Sequence, residues 1–72
     1  MMKEIKIKED FIRLDAALKL AGLVSTGGHA KLVIQGGLVT VNGAVCTMRG
    51  KKMREGDIAA FDGKEIKIIN EG

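Results

Sequence analysis

The stretch STGGHAKLVIQGGLVTVNGAV, residues 25–45, contains the change of period on which the fold turns. Its first half repeats at helical spacing. Thr26 can cap the start with its side-chain oxygen, Ala30, Val33 and Ile34 form an apolar stripe, and Gly36 ends the run. From Leu38 onward the chain reads as strand and turn. LVTVNGAVCT (38–47) is a hairpin in which Asn42-Gly43 supplies the two positive-φ residues of a type I′ turn.

Working outward, DFIRLDAALKLAG (10–22) is a second helical pattern, with Phe11, Leu14, Leu18 and Ala21 on one stripe. Asp10 can cap its start and Gly22 supplies a left-handed stop. Two helices so closely spaced should pack as a helical hairpin. On the other side, GDIAAFDGKEIKII (56–69) is a second β-hairpin about Asp62-Gly63. The ends of the chain carry similar amphipathic strands. KEIKIK (3–8) turns Ile5 and Ile7 inward, KEIKII (64–69) does the same with Ile66 and Ile68, and the two should pair in a shared sheet. The expected fold class is α+β: an N-terminal strand, a two-helix hairpin, then a mostly antiparallel sheet of two β-hairpins.

A chain of 72 residues is expected to form one domain over 1–72. Such a domain buries about 60% of the surface its unfolded chain exposes, which leaves little room for a deep cleft and points to function on the outer surface. Hydrophobic content is 46%, almost wholly aliphatic, a globular composition. No apolar run reaches the roughly 18 residues of a membrane span, and MMKEIKIKED lacks the apolar centre of a signal peptide. The one cysteine, Cys46, cannot form an internal disulfide. These features together read as a cytoplasmic protein, expected to be a monomer, with no cofactor, membrane partner or small-molecule substrate.

Charge is distributed unevenly. The net charge is +3, and acids and bases mix along residues 3–15, but TMRGKKMREGD (47–57) holds Arg49, Lys51, Lys52 and Arg54 with no acid until Glu55. Such a patch suits a polyanion; the plainer reading is a solvated turn that keeps the protein soluble. Aromatic residues are scarce: Phe11 and Phe61, both at positions that read as core, with no Tyr or Trp. Proteins that grip single strands stack bases on aromatic rings, so no such platform is expected here. A nucleic-acid partner would be folded or helical, read through phosphates and shape.

Catalytic groups do not converge in the sequence. His29 falls on the exposed side of the second helix, Cys46 has no neighbour that would activate its thiol, and metal ligation fails on the number of ligands. Residues 22–27 match the spacing of a nucleotide-binding P-loop, but Gly28 and His29 stand where Lys and Ser/Thr are required, and a helix precedes them. The helix entry STGGHAK (25–31) is more informative. Gly27 and Gly28 fall in the first turn, where amides lack intrahelical partners, and each costs about 1 kcal/mol against Ala in a helix. Either the turn packs closely against the first helix or the sheet, or a phosphate approaches the bare amides at the positive helix end, with Lys31 one turn further on.

Taken in order, Arg13-Leu14-Asp15 with Leu18, then Thr26, Ala30 and Ile34, then Gly37, Val39, Val41 and Asn42-Gly43, then Gly56-Asp57 resemble the RNA-binding domain named after small-subunit ribosomal protein S-four, the alpha-L motif. The match spans about residues 12–58, and the glycine-rich version looks like the small free-standing bacterial members of that family. The family's Ser-Arg pair at the second helix is Thr26-Gly27 here, so the family's arginine is missing at that position. The resemblance implies an RNA-binding face built from the two helices and the adjoining basic turn. Its candidate residues in this chain are Lys19, Thr26, Gly27, Gly28, Lys31, Arg49, Lys51, Lys52 and Arg54, with Gln35 and Asn42 available for base contacts. Arg13 could bind phosphate or pair locally with Asp15 or Glu9. Structured RNA is the expected partner, with ribosomal and transfer RNA as candidate classes, in a ribosomal particle or an RNA-processing complex. The alternative is a protein adaptor that docks an acidic partner.

Overall fold

A computed structural model describes residues 2–72. Strand β1 (Met2–Ile7) is followed by a two-residue strand β2 (Ile12–Arg13), helices α1 (Leu14–Leu20) and α2 (Gly27–Gln35), and strands β3 (Val39–Val41), β4 (Ala44–Val45), β5 (Lys52–Met53), β6 (Ile58–Phe61) and β7 (Lys64–Asn70). Five strands form a sheet in the order β1-β7-β6-β3-β4, in which β1 and β7 are parallel and the other pairs antiparallel. The α+β arrangement expected from the sequence is the one observed.

Local chemistry accounts for most of these elements. Thr26 caps α2, its side chain accepting from the His29 amide at 3.0 Å, and Gly36 is the C-cap. Both hairpins turn on two positive-φ residues, Asn42 and Gly43 at φ 52° and 85°, Asp62 and Gly63 at 55° and 75°, the pattern whose twist matches flanking antiparallel strands. The terminal strands pair as their alternation predicts, with Ile5 opposite Ile68. Register puts Ile68, Ile66, Ala59 and Val41 on one sheet face, all buried, and Leu14, Ala17 and Leu18 of α1 and Ala30, Val33 and Ile34 of α2 complete the same core. Fully burying a large aliphatic side chain of this kind contributes roughly 1.5–3 kcal/mol.

The first helix is shorter than its periodicity suggests. It begins at Leu14, not beside Asp10, and its N-cap Arg13 is in extended geometry with no side-chain cap. Residues 12 and 13 instead pair antiparallel with β5, Ile12 opposite Met53 and Arg13 opposite Lys52. The ribbon continues into the helix, where the Leu14 amide donates to the Lys51 carbonyl (2.8 Å) and the Asp15 amide to the Arg49 carbonyl (3.1 Å). Backbone acceptors from the basic segment thus satisfy helix-start amides that a side-chain cap would otherwise serve. Two expectations are corrected by this pairing. Residues 49–54 are not merely a solvated turn, since they contain β5 and the fully buried Met53. Phe11 is not a core residue: drawn off the helix stripe, it is 36% exposed, whereas Phe61 is half-buried against the core.

Candidate nucleic-acid interface

The β2–β5 ribbon separates its residues by face. Side chains alternate along a strand and antiparallel partners point the same way, so Ile12 and Met53 turn to the core while Arg13 and Lys52 turn outward. Phe11 and Arg54, one step beyond the paired residues, extend the outward face. The Lys52 Nζ lies 4.9 Å from the centroid of the Phe11 ring and the Arg54 guanidinium carbon 5.9 Å from it, within cation–π range. Arg13 pairs with Asp15 at 3.1 Å, the local partner its sequence context offers, and its guanidinium lies against Gly50. Met53 is the anchor that lets Arg49, Lys51, Lys52 and Arg54 all remain exposed.

A second cluster forms where the two helices meet. Arg13 at the N-cap of the first, with Asp15, Ala16 and Lys19 of that helix, lines a shallow open groove of about 260 Å³ together with Gly27 of the second. Asp15 and Lys19 are four residues apart on one side of α1, and Gly27 and Lys31 are four apart on one side of α2. At the start of α2, Thr26 takes the His29 amide with its side chain and the Ala30 amide with its carbonyl. The amides of Gly27 and Gly28 have no partner among the described residues. A Cβ built at Gly27 would meet nothing within 4 Å, and one at Gly28 only the Thr26 Oγ1 at 3.9 Å. Close packing inside the protein therefore does not require glycine at either position.

The basic segment and the helix groove are joined through backbone. Hydrogen bonds from Leu14 and Asp15 hold the carbonyls of Lys51 and Arg49 against the first turn of α1, the same turn that carries the groove's Asp15. Of the two side chains named for base contacts, Asn42 is consumed by the fold, bonding Asp57 and the Ile58 backbone, while Gln35 is exposed. Asp57 is held below the ordinary aspartate range, chiefly by the Arg54 amide it accepts from; partial burial works against this, and Asn42 and the nearby cations Lys51 and Arg54 add to the lowering. His29 is exposed, the half-buried Cys46 thiol donates to the Met48 carbonyl at 3.7 Å, and no group of three His, Cys, Asp or Glu among the described residues could hold a metal ion. No helix among the described residues is long and apolar enough to cross a membrane.

This fold has counterparts. The sequence model of the S4 domain matches residues 5–69. The chain belongs to the S4-domain family. Among S4-domain relatives, it is 35% identical to the probable ribosome maturation protein RlbA of Bacillus subtilis, over 97% of this chain and 100% of that one. It is 34% identical to the putative RNA-binding protein YbcJ of Escherichia coli, over 86% of this chain and 89% of YbcJ. The solution structure of YbcJ, described as revealing an alfaL motif involved in RNA-binding, superposes with a TM-score of 0.69 at 31% identity, covering 94% of this chain and 85% of that one. The S4-domain fold of this chain is therefore the alpha-L arrangement.

Sequence reasoning missed two features of this surface. One is the outward ring of Phe11; the other is the attachment of the basic segment to α1. The sole trace of either is Lys52-Met53-Arg54, an apolar residue between two bases, which is the alternation of a strand with one buried side.

Proposed function

We propose that this protein binds structured RNA through phosphates and shape, as a monomeric, single-domain module of a ribosomal or RNA-processing assembly in the cytoplasm. Ribosomal or transfer RNA is the natural class of ligand. The reading rests on one observation above the rest: the backbone bonds from Leu14 and Asp15 to the Lys51 and Arg49 carbonyls, which fix the basic segment beside the groove of Lys19 and Gly27. Cations fastened to a rigid helix start lose less freedom on meeting a phosphate backbone than cations on a loose turn would.

In this reading Arg49, Lys51, Lys52 and Arg54 meet the phosphates of one strand. Lys19 and Lys31 extend the stripe along the helices, and the open amides of Gly27 and Gly28, capped by Thr26, receive a phosphate at the helix end. The names of RlbA and YbcJ agree with a ribosomal and RNA-binding role. Few side chains remain free for base edges, so discrimination comes from RNA shape.

Lys31, Arg49, Lys51, Lys52 and Arg54, at one phosphate each, give a slope of log K against log salt of roughly −3 to −5, which Lys19 would steepen by about 1. The test is a salt titration of binding to folded RNA hairpins, beside a Lys51/Lys52/Arg54→Ala variant. Saturable binding with that slope, flattened by about 2–3 in the variant, supports the proposal. Preference for an acidic polypeptide of equal charge over the RNA would replace it with the protein-adaptor reading.

A further inference from the structure

The outward face of the β2–β5 ribbon holds an aromatic ring that the core does not use. Phe11 is 36% exposed, on the side opposite Ile12 and the fully buried Met53, and Lys52 and Arg54 both reach over it. A ring in that position faces water amid positive charge. Resting on the RNA-binding reading above, we infer that Phe11 is a stacking platform for one unpaired nucleobase, a bulged nucleotide in an otherwise helical RNA, with Lys52 and Arg54 taking the phosphates on either side of it.

Three features carry the assignment. The ring sits one residue before a backbone-paired strand whose other face is anchored in the core, so its place on the surface is set before RNA arrives. The cations lie over the ring at 4.9 and 5.9 Å, near enough for both to reach phosphates flanking a base seated on it. Stacking of a base on an aromatic ring is worth more than an exposed cation–π contact, so Lys52 can yield the ring to the base and gain a phosphate in exchange. With one ring in place the surface accommodates a single base, not a single-stranded run. The ligand is therefore a helix with one nucleotide out of the stack, which a perfectly paired stem does not offer.

The test compares three hairpins identical in stem and loop: fully paired, with a single adenine bulge, and with an abasic site at the bulge. The wild-type protein should bind the adenine bulge at least about 5-fold more tightly than the abasic one. Phe11→Leu, a change at a partly exposed site that leaves the buried ribbon face intact, should erase that difference, with a larger loss of affinity on the adenine bulge than on either of the other two RNAs. The chain has two phenylalanines and no Tyr or Trp, so the ring protons are readily assigned by NMR. Those of Phe11 should shift upfield on addition of the adenine bulge while those of Phe61 stay in place. Equal affinities for adenine and abasic bulges, unmoved Phe11 signals, or an equal loss by Phe11→Leu on all three RNAs would each overturn the platform. Salt-dependent binding in those cases would leave the phosphate reading standing. Failure to bind any of the three hairpins would overturn both.

Discussion

Asn42 Nδ2 donates to Asp57 Oδ1 across 3.1 Å, tying the turn of the first hairpin to the entry of the second. The Asn42 carbonyl-type oxygen accepts from the Ile58 amide at 2.9 Å, and the Asn42 amide donates to the Ile58 carbonyl at 2.7 Å. The other Asp57 oxygen accepts from the Arg54 amide at 2.9 Å, while the Asp57 amide donates back to the Arg54 carbonyl. That reciprocal turn is possible because Gly56 adopts φ 87° without a side-chain penalty. Asn42-Gly43 and Gly56-Asp57, with Asn42 and Asp57 fifteen positions apart in the chain, are thus two halves of one clasp, and the clasp closes the C-terminal end of the basic segment.

Acid should loosen this clasp. The Asp57 carboxylate is held below its ordinary pKa of 3.8, first by the Arg54 amide, so the unfolded chain takes up its proton at a higher pH than the folded one. Folding stability from this group is therefore fully present above that ordinary value and is lost as pH falls through the lower folded value. Urea unfolding at pH 7 should show Asp57→Asn less stable by about 1 kcal/mol, the usual contribution of such a hydrogen bond. Between about pH 5 and pH 2 the wild type should lose its advantage over the variant. Parallel pH profiles for the two proteins would mean that Asp57 does not carry the acid sensitivity.

What the sequence makes legible follows from how local each signal is. The cap at Thr26, the Asn42-Gly43 and Asp62-Gly63 turns and the alternation about Ile5 and Ile66 each need only a few adjacent residues, and all appear in the structure. The β2–β5 ribbon depends instead on Ile12 finding Met53, far along the chain, through strands of two residues each. Two residues cannot display a period, so Phe11 falls into the helical stripe that begins at Leu14 and is misread as core. At the interface the cations themselves are evident from charge alone. That Lys19 and Gly27 share a groove, and that Arg13 chooses Asp15, are consequences of helix packing that no local pattern encodes.

Met53 offers a direct test of the anchor. It is fully buried, and truncation to Ala should cost about 2–5 kcal/mol through lost transfer energy and the cavity left behind. For a chain whose whole stability is of the order of 4–11 kcal/mol, that is a large share. Hydrogen exchange should report the local consequence. The amides of Leu14 and Asp15, protected by the Lys51 and Arg49 carbonyls in the wild type, should lose more protection in Met53→Ala than those of β7. Met53→Leu, close in volume, should restore both. Uniform loss of protection across the whole chain would show that the ribbon does not open separately from the core.

Gly27 and Gly28 set folding against binding. Neither Cβ would meet a close obstacle within the protein, both residues have helical geometry, and glycine is the poorer helix former by up to about 1 kcal/mol each. A Gly27→Ala/Gly28→Ala variant should therefore be more stable, with Tm raised by about 4–8 °C for each kcal/mol gained in a domain of this size. If a phosphate approaches the two open amides, the added methyl groups stand in its way, and affinity for folded RNA should fall several-fold. Every cation is retained, so the salt slope should flatten by about 1 at most, the share of the single phosphate displaced from the helix end. Thermal melts and binding at fixed salt on the same preparations separate the outcomes. A protein that melts higher and binds RNA as tightly as before would remove the helix end from the interface, and the binding energy would then have to come from the basic ribbon and its lysines and arginines alone.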